Sequence, residues 1–285
     1  MKSEVLSSAP KARLGMGSII SHTFLIIFSL IVLFPFLWML DTALKPDADV
    51  FLFPPTLIPN PIQWQNFAAV WTYLPFGRFI INSLIVAGIG TILVLITSSL
   101  AAYAFARLRF FGRETIFVAY LGTLIVPQAV LVIPEFLLIR YLGWVNSYQA
   151  LILPGAFTAF GTFLLRQFFR TIPVELEESA LIDGASRLRI LWSIILPLSR
   201  AALGVLGLFT FIGFWNNFLW PLIVVNTTDM ATIPLGLQMF QGQHGTEWSY
   251  MMAGATISVI PGIILVILLQ RYLVEGITLT GLGGR

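Results

Sequence analysis

The sequence predicts an all-α protein that crosses a membrane six times, and three observations predict it. Of its 285 residues 58% are hydrophobic and 10% charged, whereas about a quarter of a soluble domain is charged. The apolar residues gather into six runs, roughly 18–40, 79–104, 115–137, 148–166, 198–224 and 251–274. Each is near or above the ~20 residues an α-helix needs to cross the hydrocarbon core. Thirteen of the 16 basic residues lie between or beyond these runs, and the other three, Arg166, Arg200 and Arg271, lie at or near a run's end.

The first run follows a polar N-terminal tail, residues 1–17, with Lys2, Lys11 and Arg13. It is longer than the ~7–15 residues of a signal-peptide core and no small-x-small site closes it, so it reads as an uncleaved first span. Residues 18–275 then form one six-helix membrane domain and residues 276–285 a short C-terminal tail. An even number of spans puts both termini on one side. Thirteen of the 16 Lys and Arg residues fall on that side, leaving only Lys45, Arg78 and Arg140 on the other. An excess of Lys and Arg marks the cytoplasmic face, so both termini are expected in the cytoplasm.

Between the fourth and fifth runs, residues 171–197 are both charged and patterned like a helix. Pro173 suits a first helical turn, and Glu175, Glu177 and Glu178 place negative charge at the positive end of the helix dipole. Gly184 either ends that helix at positive φ or lets another backbone come close, and Pro197 marks the start of a new helix. The expected product is a short helix, a bend and a second helix at the cytoplasmic surface.

On the opposite side, residues 41–78 hold six prolines and the aromatics Phe51, Phe53, Trp64, Phe67, Trp71 and Tyr73. That mixture makes a stiff, packed loop, either a lid over helix ends or a docking surface for an external partner. The loop at 225–250 faces the same way and carries the same two readings. Within the spans, Gly254, Ser258 and Gly262 recur every four residues, as do Thr97 with Ala101 and Ser98 with Ala102, which lets helices approach closely in lipid. Pro35, Pro127, Pro134 and Pro261 are expected to kink or interrupt their spans.

Chemistry is conspicuous by what it lacks. The chain has no cysteine and two histidines, His22 and His244, expected on opposite sides of the membrane. It has no Gly-x-Ser-x-Gly elbow, no His-Glu-x-x-His and no Gly-x-x-x-x-Gly-Lys phosphate loop. No catalytic residue, metal site or cofactor is expected on this chain. The spans carry almost no charge apart from Glu135, which argues against a proton-coupled carrier. Their polarity is neutral: Gln128, Asn82, Trp215, Asn216, Asn217 and Trp220. Amides beside indole rings suit a hydroxyl-rich neutral solute, and the same groups equally suit hydrogen bonds between helices. Gln128, Trp215, Asn216 and Asn217 are the candidate pathway residues.

The segment 171–197 also resembles a known motif. Glu178-Ser179-Ala180, three residues, Gly184, nine residues and then Ile194-x-Leu196-Pro197 is similar to the EAA motif of the membrane subunits of ABC importers, with Ser179 where the motif has Ala. The likeness extends through Leu44-Lys45-Pro46, Ala150-Leu151-Ile152-Leu153-Pro154, Leu165-Arg166-Gln167-Phe168-Phe169, Trp215-Asn216-x-Phe218-Leu219 and Gln270-Arg271-Tyr272. It points to the carbohydrate-uptake branch of that family and to its maltose-G-like subunit.

The resemblance implies a type I ABC importer permease in a bacterial inner membrane. It works by alternating access, supplies half the pathway for a sugar or related polyol, and performs no chemistry itself. Its implied partners are a second, different permease subunit, a dimeric cytoplasmic ATPase that binds ATP and magnesium, and an extracytoplasmic solute-binding protein. Glu178, Ser179, Ala180, Leu181, Asp183, Gly184 and Ala185 would dock into the ATPase, with Leu181 and Ala185 filling an apolar groove. Gly281, Gly283 and Gly284 would let an extended tail reach the ATPase interface. Glycerol-phosphodiester-type solutes are an alternative within the class, and a stand-alone polytopic channel or enzyme is the alternative outside it.

Overall fold

The structure is a computed structural model and describes residues 16–242 and 245–281. It is helical apart from connecting turns and one two-stranded antiparallel ribbon, Gln241–Gly242 with Gly245–Thr246. The helices are α1 (Met16–Ala43), α2 (Gln65–Tyr73), α3 (Phe76–Arg107), α4 (Arg113–Gly122), α5 (Gln128–Tyr141), α6 (Tyr148–Ile152) and α7 (Ala159–Thr171). They continue with α8 (Glu175–Ile182), α9 (Arg187–Ile190), α10 (Leu196–Leu198), α11 (Arg200–Trp215), α12 (Leu219–Val224), α13 (Ile233–Gln238) and α14 (Trp248–Gly281).

Among the described residues three helices, α1, α3 and α14, are long and apolar enough to cross a membrane by themselves. Three further pairs qualify only when the two parts of a bent rod are taken together, so six crossings require each bent pair to count as one. The sharpest bend, 99°, separates Arg113–Ile125 from Gln128–Tyr141. Its cause is Pro127, which caps α5 and holds Val126 in an extended conformation (ψ 116°), because a residue before proline is pushed out of the helical region. The pair Tyr148–Ala156 and Ala159–Thr171 bends by 44°. Thr158 sits extended at that joint, its Oγ accepting from the Gly161 amide at 3.5 Å.

The remaining bend, 83°, lies between Arg187–Leu198 and Arg200–Trp215. Pro197 has no N–H for residue 193, and just before it the ladder widens into a π turn at Leu191–Ile195. Pro197 lies in the first turn of the three-residue α10, and the long helix α11 begins at Arg200, past Ser199. The continuous fifth run expected over 198–224 is corrected. α11 stops at Trp215 and α12 resumes at Leu219, leaving α11 with 16 residues, about 24 Å of helix. Of the four span prolines only Pro127 interrupts a helix; Pro35, Pro134 and Pro261 lie inside α1, α5 and α14.

The helix α3 is the spine. Its 32 residues extend about 48 Å, beyond a ~30 Å hydrocarbon core at one end or both. It packs against α7, α11, α13 and α6. At its start Phe76, Phe79 and Ala87 enter a core with Val70, Trp215, Ile233, Phe240 and Ala253. At its finish Ala102 and Tyr103 enter another with Leu165, Phe169, Ile190, Leu191, Ile195 and Leu206. A third cluster joins Val86 to Ile139, Leu151, Trp220 and Val224.

Small residues permit this closeness selectively. A Cβ on Gly254 would fall 2.9 Å from Leu237, whereas Gly262 has nothing within 4 Å. Thr97 donates to the Ala156 carbonyl at 2.7 Å, and a Cβ on Gly161 would meet the Ser98 hydroxyl at 2.5 Å. By contrast α1 is largely exposed on all sides and lies against α14. An all-round apolar surface of this kind belongs in lipid or against another membrane chain.

The proline-rich loop is packed at both ends and open in its middle. Lys45, 2% exposed, donates to the Asp41 carboxylate and the Thr56 carbonyl and lies over the Trp38 ring. Asn66 donates to the carbonyls of Ala43 and Lys45, both at 2.9 Å. Asp47 accepts from the Ser249 amide at 3.1 Å. Between these anchors Phe53, Leu57 and Ile58 stand exposed.

Candidate functional site

Helix α8 is short because its own sequence ends it. Gly184 adopts φ +80° with no atom within 4 Å of an added Cβ, so of its two expected roles it fills the positive-φ one within this chain. The Gly184 amide donates to the Leu181 carbonyl and the Ala185 amide to the Ala180 carbonyl. This pair of bonds is the Schellman closure, which satisfies carbonyls that a helix end otherwise strands. Ser186 then caps α9 by accepting from the Arg189 amide at 3.3 Å.

The closure sorts the motif residues into two faces. Glu175, Leu176, Glu178, Ser179, Ile182, Asp183 and Gly184 are exposed, Ile182 at 87%. Ala180, Leu181 and Ala185 are half-buried against this chain's own core around Tyr103, Phe169 and Ile190. Leu181 and Ala185 thus back the surface from beneath, and the apolar side chains it presents outward are Leu176 and Ile182.

The three glutamates of the first turn are not equivalent. Glu177 is 2% exposed, with its Oε1 2.7 Å from Arg107 Nε and its Oε2 4.0 Å from a terminal nitrogen of Arg187. The Arg107 contact is an ion pair by proximity rather than an aligned hydrogen bond. Tyr103, one turn earlier on α3, donates its hydroxyl to Oε2 at 3.2 Å. Arg107 also donates to the carbonyls of Phe169 and Ile172 where α7 ends, a helix terminus that favours a cation.

Burying a carboxylate is tolerable only with such partners, since an unpaired one costs several kcal/mol. The charge pattern of the sequence alone sets neither Glu177 nor Arg107 apart, although the helical facing of each does. Glu177, Ala180 and Leu181 share one helical face at i, i+3 and i+4, and Tyr103 and Arg107 share another at i and i+4.

A second ionic knot lies beside the first. Arg166, 4% exposed, donates to both oxygens of Glu114 at 2.8 Å and to the Phe105 carbonyl at 3.2 Å, and lies 4.0 Å from the Phe117 ring centre. It fixes the start of α4 to α7 through a planar guanidinium, the geometry for which arginine is suited.

The polar residues of the spans divide between structure and cavity. Asn82 is fully buried, donating to the carbonyls of Asp229 and Ala231 at 2.8 Å and accepting from the Tyr148 hydroxyl at 2.7 Å. Trp220 donates to the Ala150 carbonyl at 2.7 Å, and Asn217 accepts from the Trp220 amide at 3.3 Å, opening α12. These three bond this chain to itself. Trp215, donating to the Ser258 carbonyl at 3.2 Å, and the exposed Asn216 line one cavity of about 580 Å³ with Phe211, Pro234, Ser258 and Val259. Gln128 and Asn217 are not part of that lining; Gln128 is exposed at the first position of α5.

Among the described residues no group of three or more His, Asp or Glu side chains could hold a metal ion. Gly281, the last of the described residues, is helical in α14, and Gly283 and Gly284 lie outside the described residues. α14 therefore runs past residue 275.

Residues 94–279 match the profile of the family described as binding-protein-dependent transport system inner membrane component. The chain is 38% identical over 267 residues to the sn-glycerol-3-phosphate transport system permease protein UgpE of Yersinia pestis bv. Antiqua (strain Antiqua), an alignment spanning 91% of this chain and 95% of that one. It is 40% identical over 264 residues to the trehalose/maltose transport system permease protein MalG of Thermococcus litoralis, spanning 91% and 94%. In fold it is similar to a chain in the crystal structure of a bacterial ABC transporter involved in the import of the acidic polysaccharide alginate. That likeness has a TM-score of 0.79 and 24% identity, and covers 93% of this chain and 99% of the other.

Proposed function

This chain belongs to the binding-protein-dependent transport system inner membrane components, a multi-pass permease subunit of an ABC importer and not an enzyme, and from that premise we propose how its surfaces are used. The exposed face of α8 docks into a cytoplasmic ATPase dimer that binds ATP and magnesium. Glu178 offers a carboxylate to basic or N–H donors, Ser179, Asp183 and Gly184 present polar groups and open backbone, and Ile182 supplies the apolar knob. Ala180, Leu181 and Ala185 hold that face up from behind. The end of the molecule bearing α8 is then cytoplasmic, as are both termini, and the glycine-bearing tail lies near the same ATPase.

The observation that carries this reading is the closure at Gly184, which leaves carboxylates and the Ile182 side chain exposed at a turn anchored by a buried ion pair. A helix meant for the lipid surface would face Glu175 and Glu178 toward anionic headgroups, an unfavourable arrangement. The chain supplies one half of the pathway and a second, different permease the other, with an extracytoplasmic binding protein delivering solute. Closure of the ATPase on ATP displaces α8, and the spans pass from inward-facing to outward-facing.

The solute is a sugar or related polyol. The 580 Å³ cavity is lined mostly by apolar side chains with no charged one; Trp215 and Ser258 are buried and bonded to the chain's own carbonyls, and the exposed Asn216 amide offers hydrogen bonds to a neutral hydroxyl-bearing molecule. The likeness to a glycerol-phosphate permease keeps a phosphorylated polyol as the second reading; a lining without a cation gives such an anion no partner.

The test is purification of the tagged chain from native membranes in mild detergent, with every co-purifying protein identified. The expected result is an ATPase bearing a phosphate loop together with a second permease. Recovery of the chain alone or as a homo-oligomer, even after cross-linking, overturns the reading in favour of a stand-alone channel.

A further inference from the structure

Glu177 sits where four pieces of the fold meet. Its carboxylate lies against Arg107 at the end of α3, accepts from Tyr103 one turn back on the same helix, and lies within 4.0 Å of Arg187 at the start of α9. Arg107 in turn holds the last carbonyls of α7. A group that is 2% exposed on a helix whose neighbouring glutamates are solvent-facing has no contact to offer a docking partner. Its contacts all point inward, to the spine helix.

We infer that Glu177 is a positioning residue for coupling: through Arg107 and Tyr103 it fastens α8 to the end of α3, so that a displacement of α8 moves α3 as one body. The inference rests on the reading of α8 as the docking helix and adds the internal half of the joint. Two features make α3 the receiving element. It runs unbroken from the ionic joint at Arg107 to Phe76, whereas the rods containing α4, α7 and α11 are each bent by 44° or more. It also lies against α11, the helix that carries Trp215 of the cavity lining.

A rigid element with a fixed attachment at each end transmits a displacement that a bent or loosely tethered one absorbs. An exposed carboxylate in place of Glu177 would be hydrated and screened, and the attachment would slip. Burial, one hydrogen bond from Tyr103 and two guanidinium neighbours hold it in one geometry.

The test uses the complex purified with its ATPase and the absence of native cysteine in this chain. Asn216→Cys places a thiol on the cavity lining, and its labelling by a membrane-impermeant maleimide is compared with and without ATP and vanadate. With the joint intact, nucleotide trapping should change the labelling rate about tenfold. With Glu177→Gln the ATPase should still co-purify and trap nucleotide while the labelling change falls to about twofold or less, and Glu177→Asp should restore part of it. Tyr103→Phe, which removes a single oxygen, should weaken the response in the same direction and decides the matter if Glu177→Gln does not insert. An undiminished response in Glu177→Gln, or in Tyr103→Phe in that event, overturns the inference. Glu178→Arg run in parallel separates the two ideas: loss of the ATPase there upholds the docking reading whatever Glu177→Gln does, and retention of the ATPase sinks the reading on which the inference rests.

Discussion

The two ends of α3 are anchored by opposite chemistry. Near its start, Asn82 holds the chain some 147 to 149 residues further on by neutral bonds to two carbonyls, with Tyr148 closing the amide oxygen. At its finish, Arg107 and Glu177 meet as charges beside Arg187, which is half open to solvent. Both groups are buried, Asn82 at 0% and Glu177 at 2% exposure, and what differs is the half-open Arg187 beside the second. Amide bonds satisfy buried backbone where a charge would be costly, and ions are used where water reaches the rim of the site. The neutral anchor has no state to switch into, while the charged one joins the helix that faces a partner.

The comparison is broken most severely at the charged end. Arg107→Leu leaves Glu177 buried with only a distant cation and strands the carbonyls of Phe169 and Ile172, a cost of about 3–5 kcal/mol. The expected result is a clear fall in Tm of the detergent-solubilised chain. Asn82→Leu strands two carbonyls and a hydroxyl but no charge, and should cost about 2 kcal/mol, with a correspondingly smaller fall in Tm. If the asparagine variant proves the more damaging of the two, the distinction between the ends has been drawn wrongly.

Much of this arrangement is legible in the sequence because hydropathy reports the length of apolar runs. It reports nothing of their straightness. α1, α3 and α14 coincide with runs in the sequence, and three proline-containing helices continue through their prolines, as membrane helices do where neighbouring groups and local adjustment re-satisfy the freed backbone. Val126-Pro127 bends by 99° instead, since there proline caps a new helix rather than sitting inside one. The break at Asn216–Phe218 is hidden from an average that counts the flanking tryptophans and leucines as one run.

At the candidate site Gly184 was legible, because its positive φ is a demand that glycine alone meets without strain. Ser179 in place of alanine is accommodated on the exposed face, with its hydroxyl donating to the Leu176 carbonyl at 3.1 Å. Glu177 was not separable from Glu175 and Glu178 by the dipole argument, which treats a first turn as one charge. Only the helical facing of Glu177 with Ala180 and Leu181 distinguishes it. The amides of the spans were equally ambiguous, and the fold divides them: Asn82 and Asn217 bond this chain to itself, and Asn216 faces the cavity.

The central claim is that the turn at Gly184 presents the ATPase-docking face. It is tested most directly by purifying Gly184→Trp beside the unaltered chain and measuring the ATPase recovered per tagged permease. The variant should insert at the normal level, because nothing lies within 4 Å of an added Cβ and the strain of positive φ is only about 1–2 kcal/mol. It should nevertheless recover roughly a tenth or less of the ATPase, the loss expected when a hot-spot contact is blocked. Undiminished ATPase on the tryptophan variant would contradict it.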